Sequence, residues 1–197
     1  MSEPSPVPEP SEAPEPFEAS GPARTEVDHV LRAAVREIEA HAAGSGWDQP
    51  PRLYALVPTA DLVVREPALA AMLGLDASAG ESLTPVEQDD VPADAPLEGV
   101  LEEIMWPAEV AGCAAVVERL VLPPTVHEQL PQDPAEAERF APEHPEREEV
   151  RIVAAATRTG STYCALRLRA HDDALSVVEA PDLVPALLQL LRSTLDN

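Results

Sequence analysis

The sequence predicts an α+β fold: a mostly antiparallel sheet of about four or five strands, with the N- and C-terminal helices packed on one face. Three observations carry that reading. First, apolar residues recur at helical spacing at both ends of the folded part: Val27, Val30, Leu31, Ala34, Val35, Ile38 and Ala42 at its start, and Val184, Leu187, Leu188, Leu191 and Leu195 at its close. Second, residues 149–158 and 162–169 alternate in character around Thr159-Gly160-Ser161, which is the strongest hairpin signal in the chain. Third, no strand–helix–strand alternation repeats, so a parallel sheet is disfavoured.

Residues 1–24 mix Pro, Glu, Ser and Ala with no base before Arg24. Such a segment cannot bury enough apolar surface to offset its ordering entropy, so it is expected to be a disordered acidic tail. Residues 25–197 then form a single domain. Thr25 is placed to cap the first helix, with Asp28 three residues on, and Gly44 to end it in a left-handed conformation. Asp28 and Arg32 are i,i+4 partners on its polar side. Residues 52–57 read as a short strand stopped by Pro58, and residues 60–65 and 67–73 as two short helical turns, the second opened by Pro67 and closed by Gly74.

Residues 75–96 read as an acidic, Pro-rich loop, and residues 97–105 as a helix that Trp106-Pro107 ends. Residues 111–122 are a long apolar strand terminated by Pro123-Pro124. A long polar loop follows at 123–148, with one helical turn expected at 135–140. For the hairpin, a three-residue loop that pairs Ile152 with Leu168 and Ala154 with Leu166 keeps one apolar face whole. A short strand is expected at 174–178, and Asp182 is expected to cap the closing helix, with Pro185 tolerated in its first turn.

Charge narrows the function classes. The net charge is −23, from 36 acids against 13 bases, and all the bases are arginine. Nucleic acid and anionic membranes would repel such a chain at long range, so neither is expected as a partner. No secretory signal and no apolar run long enough to span a bilayer is recognisable, and Cys113 and Cys164 form no Cys-x-x-Cys pair. A cytoplasmic protein with two reduced, buried thiols is the expectation, without direct membrane insertion.

No motif for chemistry stands out. Gly44-Ser45-Gly46 runs into Trp47 and not into a phosphate-binding helix, and there is no Gly-x-Ser-x-Gly elbow and no His-Glu-x-x-His. Cys113 lies in an apolar strand, the opposite of the electropositive setting that a nucleophilic thiolate needs. His171-Asp172-Asp173 and Glu87-Gln88-Asp89-Asp90 supply carboxylates but match no calcium loop, so neither a metal nor a cofactor is expected. The unusual feature is the second face of the hairpin, which carries Arg151, Val153, Tyr163, Ala165, Arg167 and Arg169. The predicted register sets Arg151 opposite Arg169, a like-charge pair that needs intervening acids. Surplus glutamates can neutralise these arginines. The sharper alternative is a recognition face for a carboxylate, a phosphate or an acidic peptide, built on Arg151, Tyr163, Arg167 and Arg169.

The two tryptophans sit in the most distinctive stretches, Gly46-Trp-Asp-Gln-Pro-Pro-Arg-Leu and Trp106-Pro through Gly112-Cys-Ala. With Glu118-Arg-Leu-Val-Leu-Pro-Pro, His144-Pro-Glu-Arg, Cys164-Ala-Leu-Arg-Leu-Arg and Pro181-Asp-Leu-Val-Pro, they resemble an uncharacterised actinobacterial protein family named after a propionibacterial locus. The resemblance runs from about residue 30 to the C-terminus and implies no activity, cofactor or catalytic residue. Trp47 and Trp106 are expected as structural anchors at helix-to-strand corners. Functionally, the sequence favours an interaction or regulatory module with a protein partner. The alternative is an enzyme whose site is assembled from Asp48, Arg52, His144 and Arg147.

Overall fold

A computed structural model of the protein describes residues 28–75, 81–88, 97–122, 126, 133, 140 and 144–196. The acidic segment expected to be disordered at 1–24, and most of the expected helical turn at 135–140, lie outside the described residues. In chain order the elements are α1 (His29–Gly44), β1 (Arg52–Pro58), α2 (Thr59–Arg65), α3 (Pro67–Met72), β2 (Leu83–Glu87), α4 (Leu97–Glu103), β3 (Gly112–Val121), β4 (Glu148–Thr157), β5 (Thr162–Leu168), β6 (Val178–Ala180) and α5 (Pro185–Leu195). The strands form one antiparallel sheet in the order β2-β1-β3-β4-β5-β6.

The α+β class and the antiparallel sheet agree with the sequence reading, but the placement of the helices does not. α1 and α5 lie on opposite faces. Leu31, Ala34, Val35, Ile38 and Ala42 of α1 pack on Tyr54, Leu56, Ala114, Val116, Val153, Ala155 and Ala165. Leu188, Leu191 and Leu195 of α5, with Leu97 and Leu101 of α4, pack on Leu53, Ala55, Cys113, Ala115, Val117, Ile152 and Ala154. The reason is in the strands. β3 and β4 are apolar at odd and even positions alike, and a sheet apolar on both sides must be covered on both. The alanines under α1 remove side-chain bulk, so the helix can lie close to the strands.

The sheet has six strands where about four or five were expected, because β2 lies inside the stretch read as a loop. Pro85 in its middle argues against a strand, yet β2 is an edge strand, where a missing N–H costs no ladder bond. β6 falls at Val178–Ala180, displaced from the expected 174–178.

Hairpin register differs by two residues. Ile152 pairs with Leu166 and Ala154 with Cys164, so Arg151 sits opposite Arg167. Thr157 N–H donates to the Ser161 carbonyl (2.9 Å) and Gly160 N–H to that of Thr157 (3.0 Å), which closes the loop at Arg158-Thr159-Gly160. Gly160 has φ 92° and must end such a loop, because the last of its three residues takes the left-handed conformation. A two-residue shift preserves which face each side chain occupies, so the expected apolar face survives.

Three helix ends also differ. Asp28 caps α1, its carboxylate accepting from the N–H groups of Val30 (3.0 Å) and Leu31 (2.9 Å), while Arg32 pairs with Glu179. The left-handed residue after α1 is Gly46 (φ 79°) and not Gly44. Val184, with no side-chain cap, precedes Pro185 at the start of α5, so Asp182 is not its cap. At Gly112 the strands approach so closely that a Cβ would stand 2.5 Å from the Ala156 carbonyl oxygen.

Candidate functional site

The α1 side of the sheet is apolar toward the start of α1 and charged toward its end. In adjacent strands Glu118, Arg151 and Arg167 stand side by side, Glu118 opposite Arg151 and Arg151 opposite Arg167. Only 1% of Arg151 is exposed, and α1 closes the far end of the row with Glu39. Arg151 donates to Glu118 through Nε (3.1 Å) and Nη2 (2.8 Å), and through Nη2 to the Gly46 carbonyl. Its Nη1 is buried without a hydrogen-bond partner among the described residues. Arg167 makes a two-pronged contact with Glu39, at 2.6 and 2.9 Å, and reaches Asp172 at 3.3 Å. The bond to Glu39 raises the Arg167 pKa above its ordinary value. Acids at both ends of the row explain how two arginines tolerate direct opposition.

The α1–β1 connection lies over this row. The Trp47 ring centroid is 4.3 Å from the Arg151 guanidinium carbon and 5.6 Å from that of Arg169, and its indole N–H donates to Asp172 (2.9 Å). Asp48 has φ 64°, a left-handed conformation that Asp tolerates better than most residues. There its carboxylate takes a bidentate pair of 2.9 Å bonds from Arg169, which also bonds Glu149. That contact holds the Asp48 carboxyl below the usual carboxylate range. Tyr163 is buried and donates to Glu179 (3.1 Å), the carboxylate that also receives Arg32 and Arg36. Burial, then the bond to Glu179, pushes the Tyr163 hydroxyl up. Arg151, Tyr163, Arg167 and Arg169 thus occur together on one face, each already holding a carboxylate of this chain.

The scattered polar set is only partly gathered. Asp48 and Arg147 are both near Arg169: Asp48 bonds it, and Arg147 lines a shallow surface pocket with it. His144 is next to Arg147, which donates to its carbonyl, and its Nδ1 accepts the Glu146 N–H (3.2 Å). Arg52 points elsewhere, to Gln49 (3.2 Å) and to Glu87 (3.7 Å) on the edge strand β2. Asp172 and Asp173 are taken up by Trp47, Arg167 and Ser176, and Glu87 by Tyr54 and Arg52, while Asp89 and Asp90 lie outside the described residues. Among the described residues no group of His, Cys, Asp and Glu is arranged to hold a metal ion, and no helix is long and apolar enough to cross a membrane.

Trp106 is buried in the α5 core and donates to the Thr194 hydroxyl (3.0 Å). Cys113 is fully buried beside it, with its thiol 3.5 Å from the Leu191 carbonyl and 3.6 Å from the Thr194 hydroxyl. Burial raises its pKa from 9.0 to about 11. The unfolded chain therefore loses this proton before the folded one does, so the thiol destabilises the fold progressively from pH 9 to about 11. The stability of the wild type relative to Cys113→Ala is expected to fall across that window in urea titrations. Equal pH dependence of the two proteins contradicts the buried-thiol account.

Arg158 was not singled out by the sequence. From the hairpin turn it donates only to carbonyls, those of Val110 (2.9 Å), Trp106 (3.0 Å), Pro107 (3.3 Å) and Leu195. It fastens the Trp106-Pro107 corner to the last turn of α5, where a cation also complements the helix dipole.

The sequence reading also passed over a groove on the opposite face of the sheet. It measures about 390 Å³, between the first turns of α5 and strands β3 and β4. Val117 and Ile152 form its floor, Val184, Leu187 and Leu190 one wall, and the Glu98–Arg119 ion pair (3.2 Å) its rim. The helix residues are only half-buried, so apolar surface remains accessible there.

The sequence model of the PPA1309-like protein family matches residues 31–196, from within α1 through the whole of α5. No curated protein and no solved structure matches the chain. With a match that spans the sheet and the helices on both of its faces, the chain belongs to the PPA1309-like protein family.

Proposed function

We propose that this protein is a cytoplasmic protein-interaction module, and that its partner docks in the groove beside α5. The accessible apolar groove carries this reading. Its size falls in the lower part of the range for binding pockets, about 300–1,000 Å³, and its lining is aliphatic with one ion pair at the rim. That composition suits apolar anchor residues from a partner. The arginine-rich face on the other side supports it indirectly, because its guanidiniums are engaged by Glu39, Asp48, Glu118, Glu149 and Asp172. Those contacts suit an internal latch that fixes the α1–β1 connection better than they suit an open anion site.

The test is a comparison of wild type and Leu187→Asp, each recovered from the native host with its bound proteins. Circular dichroism establishes that both are folded. A partner retained by wild type and lost by Leu187→Asp is the expected result. Equal recovery of the same proteins by both, or of none by either, defeats the reading.

A further inference from the structure

We infer that the occupant of this groove is a basic protein segment with apolar anchor residues. The inference rests on the interaction reading above and adds the chemical class of the partner. α4 borders the groove and has the sequence Leu-Glu-Gly-Val-Leu-Glu-Glu, with exposed Glu98, Glu102 and Glu103 and no base. Glu98 and Glu102 are one helical turn apart and face the same way. The base at the rim, Arg119, is neutralised by Glu98. An approaching segment therefore meets aliphatic surface with an ion-paired rim, beside a helix whose exposed Glu102 and Glu103 make no ion pair among the described residues.

Charge also selects among occupants. A second copy of the chain carries −23, and residues 1–24 contain no base before Arg24, so both are repelled by the acidic chain and by the glutamates of α4. A basic segment is attracted instead. Its apolar residues supply the burial, while its charge sets encounter rate, orientation and salt dependence.

Two labelled synthetic peptides with the same leucines at i, i+3, i+4 and i+7 provide the test, one with arginine and one with glutamate at the polar positions. Binding to the full chain is read by fluorescence anisotropy at low and high salt. The arginine peptide is expected to bind on the order of tenfold or more tightly than the glutamate peptide. Glu98→Gln/Glu102→Gln/Glu103→Gln is expected to weaken it several-fold and flatten its salt dependence. Leu187→Asp is expected to abolish binding although it adds a negative charge, which separates groove docking from general attraction to an acidic protein. Survival of arginine-peptide binding in Leu187→Asp overturns the inference, as does failure of both peptides to bind wild type. Equal binding of the two peptides, lost in Leu187→Asp, overturns the charge class alone and leaves the groove as the interaction site.

Discussion

Arg167→Met is expected to lower the unfolding free energy by about 3–5 kcal/mol, one of the two largest single-residue effects foreseen in this protein. The substitution leaves the Glu39 carboxylate buried beneath α1 without the two bonds, at 2.6 and 2.9 Å, that compensate its desolvation. Glu39→Leu/Arg167→Met removes the orphaned charge as well and is expected to recover most of the loss, since apolar replacement of a whole buried pair is often neutral or stabilising. Urea denaturation decides the matter: the midpoint should fall sharply in the single variant and return in the double, with little change of slope. A single variant close to wild type would falsify the view that this pair is buried and structural. It would instead favour a face whose arginines are free to exchange their carboxylates for those of a ligand.

How legible this fold was depended on how far the deciding information lay from the residues read. The stripe on α1 and the alternation in β4 and β5 are local, and all three elements form where the spacing placed them. The two-sided burial of β3 and β4 was visible as well. Val116 and Val117 are neighbours of opposite parity and both apolar, so the strand had to be covered twice. Helices on opposite faces could therefore have been deduced. β2 could not, because Pro85 forbids a central strand and its edge position is a property of the whole sheet. Hairpin register was within reach: the positive φ of Gly160 fixes where the loop ends, and alternation alone does not distinguish registers that differ by two.

The charged row was legible only by half. Arg151, Arg167 and Arg169 stood out by their scarcity, and their clustering on one side follows from strand parity. Their partners do not. Glu39 lies 128 residues from Arg167, and Asp48 lies 121 from Arg169, and nothing in an acid-rich sequence distinguishes the carboxylate that will be buried from those that stay in water. The groove is harder still, because it arises where α5 stops covering the sheet. Val184, Leu187 and Leu190 look like ordinary members of an apolar helical stripe until the opposing surface is in place.

The two tryptophans separate the two halves of this structure, and substitutions there should have unequal effects. Trp106→Ala is expected to cost about 3–5 kcal/mol, because it opens a cavity under α5 among Leu97, Val110, Cys113 and Leu195. Trp106→Phe retains most of that packing and forfeits the bond to Thr194, a loss of about 1 kcal/mol, while the Thr194 hydroxyl still reaches the Leu191 carbonyl at 2.7 Å. Trp47→Ala removes a half-buried ring whose main contact is the Arg151 guanidinium at 4.3 Å, so about 1–2 kcal/mol is expected, of the order of a partly desolvated cation–π contact. Thermal and urea unfolding of the three variants give the ranking, and Trp47→Ala as damaging as Trp106→Ala means that the latch over the arginines carries more of the fold than its contacts imply. Neither ring lines the groove beside α5, so Trp47→Phe and Trp106→Phe should bind the arginine peptide as wild type does. If either keeps its stability and loses the peptide, the binding surface is at that tryptophan and not at Leu187.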